Sequence, residues 1–230
     1  MQTETLRNGT KVLVTHDHKF GADALFLAHF ANVRRAETVA DFGTGCGIIP
    51  LRWHDRGHRG ACIAVEISAA AIAQLTAAIA ENGIDHITSV CADLRTWKTQ
   101  TLFDVITCNP PYFTGGIVSE NNARALARHE KTCTVADVCA AASPLLRDGG
   151  RLCVCQKPER LADVIAAMRQ NRIEPKRLQL VTVRCEKEPW LFLMEGQKNR
   201  AAGLRVLPPL VTENPDGTRP SAAVAAIYNL

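Results

Sequence analysis

The first residues of the chain carry the hydrophobic pattern of a β-hairpin. Two short apolar runs flank the dipeptide Asn8-Gly9, and Asn-Gly between such runs is the strongest local signal for a tight hairpin turn. We therefore expect a hairpin extension over residues 1–20. The apolar positions that follow Asp23 have the spacing of an amphipathic helix, so we predict a helix over residues 24–35 with Asp23 as its N-cap.

From residue 38 onwards, short apolar runs alternate with stretches of helical spacing. This alternation predicts a parallel sheet, because a strand that is followed by a helix crosses over before the next strand begins. Helices should cover both faces of such a sheet. The predicted strands are Val39–Phe42, Ala61–Val65, Ile87–Cys91, Phe103–Cys108 and Arg151–Cys155, and the predicted helices cover residues 46–56, 68–83, 134–146 and 158–170.

Two more strand-like runs, Leu178–Cys185 and Trp190–Glu195, break this alternation near the end of the chain. The four residues between them are too few for a crossover helix, so these two strands must pair antiparallel. The pattern thus predicts an α/β fold with a mostly parallel seven-stranded sheet and an antiparallel terminal hairpin. Residues 197–230 contain several prolines and should form an irregular C-terminal segment. Because no linker-like stretch precedes them, we expect a single domain over residues 1–230.

The composition narrows the class of protein without identifying its function. The chain has 230 residues, 47% of them hydrophobic, and a formal net charge of +4, which is too small to indicate a nucleic-acid binder by itself. The absence of a long apolar run and of a signal peptide predicts a cytoplasmic protein that does not enter a membrane. The nine cysteines are odd in number and include no CxxC pair, so we expect small buried hydrophobic residues and no metal site.

A glycine-rich loop follows the first predicted strand of the sheet and opens a helix, where exposed backbone N–H groups can meet a ligand. Its sixth position is Ile48, which excludes the dinucleotide fingerprint, and no Lys-Ser/Thr follows the last glycine, which excludes a phosphate-binding P-loop. The remaining pattern resembles motif I of the class I S-adenosylmethionine (SAM) methyltransferases. The resemblance implies a Rossmann-like fold and a loop that holds the methionine and ribose of SAM, with Asp41 near the methionine amino group. The loop is Asp41-Phe-Gly43-Thr44-Gly45-Cys-Gly47.

Two more acidic residues follow strands where this fold would place cofactor contacts. Glu66 ends the second strand of the sheet, and a carboxylate at that position can accept both ribose hydroxyls. The resemblance extends this ligand set to the neighbouring Ile67. It also places the Asp93 carboxylate near the exocyclic amine of adenine, with the backbone N–H of Leu94 beside it.

The tetrapeptide Asn109-Pro110-Pro111-Tyr112 follows the fourth predicted strand. Two prolines remove two N–H donors, so the segment presents an amide side chain and carbonyl oxygens. Asn109 Oδ1 and the Pro110 carbonyl can accept both protons of an exocyclic amine, and Tyr112 offers a ring for stacking. These acceptors would stabilise the positive charge that develops on the amine nitrogen during methylation. We therefore predict Asn109, Pro110 and Tyr112 as catalytic residues, with Asn109 also next to SAM.

Together, the two motifs resemble the amino-methylating class I methyltransferases, whose substrates are adenine N6, guanine N2 and glutamine N5. Three further stretches resemble the bacterial tRNA1(Val) adenine N6-methyltransferase family, which modifies the adenosine 3′ of the anticodon. The resemblance implies SAM as cofactor and tRNA as partner, and we expect a monomer. N5-glutamine methylation of a protein, rRNA amino-methylation and a non-catalytic RNA-binding role remain alternatives. The three stretches are Phe20 to Leu25, Asn122 to Glu130 and Glu195 to Leu210.

Two groups of basic residues are candidates for RNA binding. Arg124 and Arg128 are one helical turn apart just after the catalytic tetrapeptide, where the phosphates that flank a bound base would lie. Lys198 and Arg200 belong to a stretch without acidic residues, and we expect this strip near the carboxyl edge of the sheet. A solvated surface is the alternative for both groups. In this family, glycines often occupy the positions of Asn199-Arg200-Ala201.

Overall fold

The computed structural model describes residues 2–110 and 133–228. In these ranges the helices are α1 (Ala22–Phe30), α2 (Ile48–Asp55), α3 (Ala69–Glu81), α4 (Val135–Leu145), α5 (Leu161–Gln170, after a 3₁₀ turn at Pro158–Arg160) and α6 (Ala222–Tyr228). The strands are β1 (Gln2–Thr5), β2 (Lys11–Val14), β3 (Val39–Phe42), β4 (Cys62–Glu66), β5 (Ile87–Cys91), β6 (Phe103–Cys108), β7 (Leu146–Gln156), β8 (Ile173–Thr182), β9 (Leu191–Lys198), β10 (Arg205–Val206) and β11 (Leu210–Val211).

Most of the strands form one twisted sheet in the order β10-β8-β9-β7-β6-β3-β4-β5, with β11 also paired to β8. The pairs from β7 to β5 are parallel, whereas β9 runs antiparallel to both β7 and β8. The predicted α/β fold, with seven main strands and an antiparallel terminal hairpin, is therefore confirmed. The two-residue strands β10 and β11 extend the sheet beyond the prediction by pairing parallel to β8.

Apolar side chains bury the sheet on both faces, as the alternating pattern predicts. Along β3, Val39 belongs to the core cluster on one face, and Ala40 and Phe42 belong to the cluster on the other. Helices α1, α2, α3 and α6 contribute buried residues to the first cluster, and α4 and α5 contribute to the second. With no face of the central strands left to solvent, a ligand can reach these strands only at their ends.

The N-terminal hairpin is confirmed and packs against the first face of the sheet. Its strands are antiparallel and are joined through residues 6–10, where Gly9 has a φ of 94°. Asn8 in this turn donates from Nδ2 to the Asp55 carbonyl at 2.6 Å, which fixes the hairpin to the end of α2. Val12, Leu13 and Val14 are buried in the first core cluster.

Helix α1 differs from its prediction at both ends. Its N-cap is Gly21, and no side chain caps it, so the assignment of Asp23 as N-cap is wrong. The helix ends at Phe30, five residues before the predicted end. Asn32 has a φ of 45°, and a left-handed residue of this kind just after a helix stops its propagation.

The C-terminal segment is more regular than the sequence pattern predicts. Residues 197–230 include β10, β11 and α6. Val224 and Ile227 of α6 are buried, and the ring of Tyr228 stacks on Phe26 of α1 with centroids 6.1 Å apart. Asn199 follows β9 and has a φ of 53°. Asparagine tolerates this left-handed backbone, so the turn forms without the glycine that the family often has at this position.

The cysteines are free, and most are buried as expected; Cys91 and Cys185 are exposed, and Cys133 is intermediate. Within residues 2–110 and 133–228, no helix is long and apolar enough to cross a membrane.

Candidate active site

The carboxyl ends of four parallel strands meet at one edge of the sheet. Phe42 at the end of β3 pairs with Val65 of β4 and with Cys108 of β6, and Glu66 pairs with Cys91 of β5. Each of these strands ends beside a predicted site residue. The glycine loop follows β3, Glu66 ends β4, Asp93 follows β5 and Asn109 follows β6. The structure therefore brings the predicted cofactor residues and Asn109, which is predicted to be catalytic, to the same edge.

The glycine loop turns sharply between β3 and α2. Gly43, Gly45 and Gly47 have φ values of 67°, 55° and 80°, a region that residues with a Cβ rarely adopt. A Cβ on Gly43 or Gly45 would meet no atom within 4 Å, whereas a Cβ on Gly47 would collide with Leu75 of α3. Gly43 and Gly45 thus leave open space above the backbone, and Gly47 lets α2 pack close to α3.

Asp41 is a buried carboxylate with one oxygen left unpaired. Its exposed fraction is 1%, and the Thr107 hydroxyl donates to Oδ1 at 2.6 Å. Burial raises the pKa of Asp41 to about 7; nearby Glu66 adds to the rise, and the hydrogen bond from the Thr107 hydroxyl opposes it. Asp41 Oδ2 and Thr44 Oγ1 are buried and lack a hydrogen-bond partner in the described part of the chain. A buried carboxylate without a cation is costly, so a ligand with a donor or positive charge would complete the site.

Glu66 holds the glycine loop in place. Its Oε2 accepts from the Gly45 N–H at 3.0 Å, and its Oε1 accepts from the Ser68 N–H at 2.9 Å. Each carboxylate oxygen retains lone pairs for a further donor. The geometry therefore allows Glu66 to accept from the ribose hydroxyls of SAM, and this contact stays a prediction. The neighbouring Ile67 is 51% exposed, which leaves an apolar surface beside the cleft.

Asp93 has a partner that the sequence analysis missed. The Arg95 guanidinium donates to both Asp93 oxygens, with Nε 3.0 Å from each of them. This pairing holds the pKa of Asp93 below its ordinary value. Leu94 packs against the second core cluster. The predicted contact of Asp93 with adenine would have to share the carboxylate with Arg95 and stays a prediction, as does the role of Leu94.

Asn109 is held from two sides at the end of β6. Its Nδ2 donates to Asp23 Oδ2 at 3.2 Å, and its Oδ1 accepts from the Cys155 thiol at 2.9 Å. Pro110 follows and is partly buried. The other predicted residues of this region, Pro111, Tyr112, Arg124 and Arg128, lie outside the residues that the structure describes.

A cleft of about 230 Å³ lies between the glycine loop, Asp41, the start of α1 and Asn109. Residues 19–24 form one wall of the cleft, although the sequence pattern indicates only a helix cap at Asp23. The contact between Asp23 and Asn109 spans 86 residues, so local pattern could not reveal it. Among the residues that line the cleft are Lys19, Phe20, Gly21, Asp23, Asp41, Gly43, Thr44, Gly45 and Asn109.

Lys198 and Arg200 lie at the opposite edge of the sheet, so their expected position near the carboxyl edge is wrong. Lys198 ends β9, which runs antiparallel to β7, and its Nζ donates to the carbonyl of Leu146 at the start of β7 at 2.8 Å. The Arg200 side chain lies against Gly149, where a Cβ would collide with it. Neither residue lies beside Asn109. That Lys198 and Arg200 bind RNA stays a prediction, and their position gives it no support.

The comparisons with known proteins agree with this geometry. Residues 15–171 match the family model described as the methyltransferase small domain. Three relatives are each named tRNA1(Val) (adenine(37)-N6)-methyltransferase: one from Bacteroides thetaiotaomicron (30% identical, 74% of each chain), one from Pseudoalteromonas translucida (29%, 66% of each) and one from Aeromonas hydrophila (34%, 66% of each). The matches thus span between two thirds and three quarters of these relatives.

Solved structures support the fold. A predicted O-methyltransferase from Agrobacterium tumefaciens superimposes with a TM-score of 0.73 at 21% identity, covering 90% of this chain and 95% of that one. A methyltransferase from Pyrococcus furiosus superimposes with a TM-score of 0.61 at 16% identity, covering 82% and 89%. The resemblance expected from the glycine loop and the Asn-Pro-Pro-Tyr motif is confirmed. The chain belongs to the methyltransferase small domain family and, within it, to the family of tRNA1(Val) (adenine(37)-N6)-methyltransferases.

Proposed function

We propose that this protein transfers the methyl group of SAM to the N6 amine of an adenosine in tRNA, namely the adenosine 3′ of the anticodon of tRNA1(Val). The observation that carries the proposal is the juxtaposition of Asn109 with the Asp41 and glycine-loop cleft at one edge of the sheet. An amine acceptor and a pocket for a cationic methyl donor are the two parts that such a reaction needs. The names of the relatives favour tRNA over the alternative substrates.

The residues of the cleft fit SAM. Asp41 Oδ2 and Thr44 Oγ1 are buried and have no hydrogen-bond partner among the described residues, so they can receive the ammonium group of its methionine part. The open space above Gly43 and Gly45 admits a ligand to the backbone. The Glu66 carboxylate retains lone pairs beside the glycine loop and can accept from the ribose hydroxyls. When bound, SAM supplies a methyl group activated by the adjacent sulfonium.

Asn109 and Pro110 provide the chemistry for the amine. A carbonyl oxygen has two lone pairs, so Asn109 Oδ1 can accept from the Cys155 thiol and from the adenine amine together. The Pro110 carbonyl accepts the second amine proton. These acceptors stabilise the positive charge that grows on nitrogen, and a fixed position next to the methyl donor supplies the rest of the rate increase. The proposal includes stacking of the base on Tyr112, phosphate contacts from Arg124 and Arg128, and a monomeric cytoplasmic enzyme without a metal ion.

Methyl transfer from labelled SAM tests the proposal. Unmodified bulk tRNA, ribosomal RNA, DNA and total protein are offered in parallel, and the labelled pool is digested for nucleoside or amino-acid analysis. We expect N6-methyladenosine from tRNA. Methylglutamine from protein or N2-methylguanosine from ribosomal RNA would overturn it in favour of those alternatives, and label in no pool would contradict it as well.

Asn109→Ala gives the matching variant. Removal of Oδ1 should lower turnover at least about 100-fold, while the affinity for SAM, measured by calorimetry, changes little. A parallel loss of SAM affinity would show that Asn109 belongs to the cofactor site instead.

A further inference from the structure

We infer that Asp23 is a positioning residue that fixes the orientation of the Asn109 amide for methyl transfer; this inference rests on the proposed function. Asp23 lies in the first turn of α1 and reaches Asn109 across the cleft, with Oδ2 3.2 Å from Nδ2. The side chain does not cap its own helix. Its carboxylate is instead directed towards Asn109.

The chemistry of the contact determines which end of the amide faces which way. An amide can rotate by 180° and exchange its NH₂ and its oxygen with little change in shape, but a carboxylate only accepts hydrogen bonds. With Asp23 on one side, Nδ2 is the end that faces it, and Oδ1 is the end that faces the Cys155 thiol and would face the substrate amine. Without Asp23, the NH₂ end could turn towards the substrate, where it would face another donor.

Gly21 supplies a second observation on the same contact. A Cβ built on Gly21 would lie 2.5 Å from Asp23 Oδ1, so the carboxylate occupies space that only glycine leaves free. Gly21 has a φ of −106°, which alanine also adopts. The atom in the way is the end of a flexible side chain. Gly21→Ala should therefore move the Asp23 carboxylate without disturbing the backbone.

The first experiment compares Asp23→Ala and Gly21→Ala with the wild type by steady-state methylation of tRNA and by calorimetric titration of SAM. Both variants should lower kcat, by about 10- to 100-fold for Asp23→Ala because of a misplaced acceptor, with the Kd for SAM within about threefold. Asp17→Asn is the matched control, since Asp17 is exposed and pairs only with neighbouring His16 among the described residues. An unchanged kcat, or a defect that saturating SAM repairs, would overturn the inference.

A swap of the two side chains separates positioning from a general structural role. Asn109→Asp alone puts two carboxylates opposite each other and should lower kcat strongly. Adding Asp23→Asn restores the donor and acceptor pair in reverse, with an acceptor oxygen again at position 109. The double variant should recover at least about tenfold in kcat over Asn109→Asp. A double variant no better than the single one would contradict the inference.

A readout without catalysis distinguishes this inference from the proposed function. The side-chain NH₂ resonances of Asn109, identified by their loss in Asn109→Ala, should exchange slowly with water in the wild type and faster in Asp23→Ala. If the wild type does not methylate tRNA but this difference is found, the proposed function fails and the positioning contact stands. Equal exchange in the two proteins would overturn the contact itself.

Discussion

Asp41 and Glu195 are two buried carboxylates in the same row of the sheet, yet their surroundings differ. Four neighbouring strands connect them through residues that pair in register. These residues are, in order, Asp41 of β3, Thr107 of β6, Cys153 of β7 and Glu195 of β9. In-register partners share one face of a sheet. Each carboxylate has an exposed fraction of 1%. The two positions therefore have the same depth and orientation, and they differ in what surrounds them.

Glu195 pairs with arginine side chains, whereas Asp41 pairs with no cation in the part of the chain that the structure describes. Arg177 donates to Glu195 at 2.8 Å, and Arg151, which also pairs with Glu37 at 2.9 Å, lies 3.7 Å away. Among residues 2–110 and 133–228, the Thr107 hydroxyl donates to Asp41 Oδ1, and Asp41 Oδ2 has no hydrogen-bond partner. Folding alone would favour a paired carboxylate in both positions. The contrast supports the proposed role of Asp41, in which its free oxygen meets a cationic ligand, whereas the Glu195 carboxylate is already paired.

The largest expected effect is on the pH dependence of stability without ligand. The pKa of Asp41 is about 7 in the folded protein, above its ordinary value, so the folded state holds this proton more tightly than the unfolded state. Its contribution is greatest below pH 4 and is lost as pH rises to 7, on the order of 4 kcal/mol. Urea unfolding from pH 4 to 8 should show this decline relative to Asp41→Asn. Parallel curves for the two proteins would contradict the shift.

The next largest effect is expected at Glu195. Glu195→Gln removes the negative charge between Arg151 and Arg177 and should lower the free energy of unfolding by about 3 kcal/mol. Glu174→Gln is the matched control, because Glu174 pairs with the exposed Arg169 and such surface pairs contribute at most about 1 kcal/mol. The affinity of the folded protein for SAM should be unchanged in both variants. Equal losses of unfolding free energy in the two variants would show that the buried Glu195 contributes no more to stability than the surface pair of Glu174.

The smallest effect is expected at Thr107, whose hydroxyl lowers the pKa of Asp41. Thr107→Val removes this donor, so the carboxyl should hold its proton to higher pH. Binding of SAM at pH 7 should weaken severalfold, and the loss should shrink at pH 8.5, where the carboxyl ionises. Calorimetric titration at the two pH values measures this, and a loss that is independent of pH would point to repacking instead.

The local sequence pattern predicts correctly which residues lie at the carboxyl ends of the parallel strands. The glycine loop and the acids that follow the parallel strands were placed correctly because parallel strands end at the same edge, whatever lies between them in sequence. Lys198 and Arg200 were misplaced because the strand before them runs the other way, so its end lies at the opposite edge. A strand's direction must therefore be known before the residues after it are assigned to a site.

Contacts between distant parts of the chain could not be predicted in this way. Asp23 precedes an apolar helical stretch, which is typical of an N-cap, and only the folded chain shows it beside Asn109. The same holds for Glu195, whose arginine partners come from β7 and β8. For Asp93, the sequence shows that Arg95 is two residues away. It does not show that the Arg95 guanidinium donates to both oxygens of the Asp93 carboxylate.

Calorimetric titration of SAM into the wild type and into Asp41→Asn, in two buffers of different ionisation enthalpy at pH 6, measures whether the Asp41 carboxylate binds the ammonium group of SAM. If the Asp41 carboxylate is kept free for the ammonium group of SAM, the wild type releases a proton as it binds SAM. Asp41→Asn then binds about 10- to 100-fold more weakly and releases none. Equal affinity and equal proton release in the two proteins would contradict the claim.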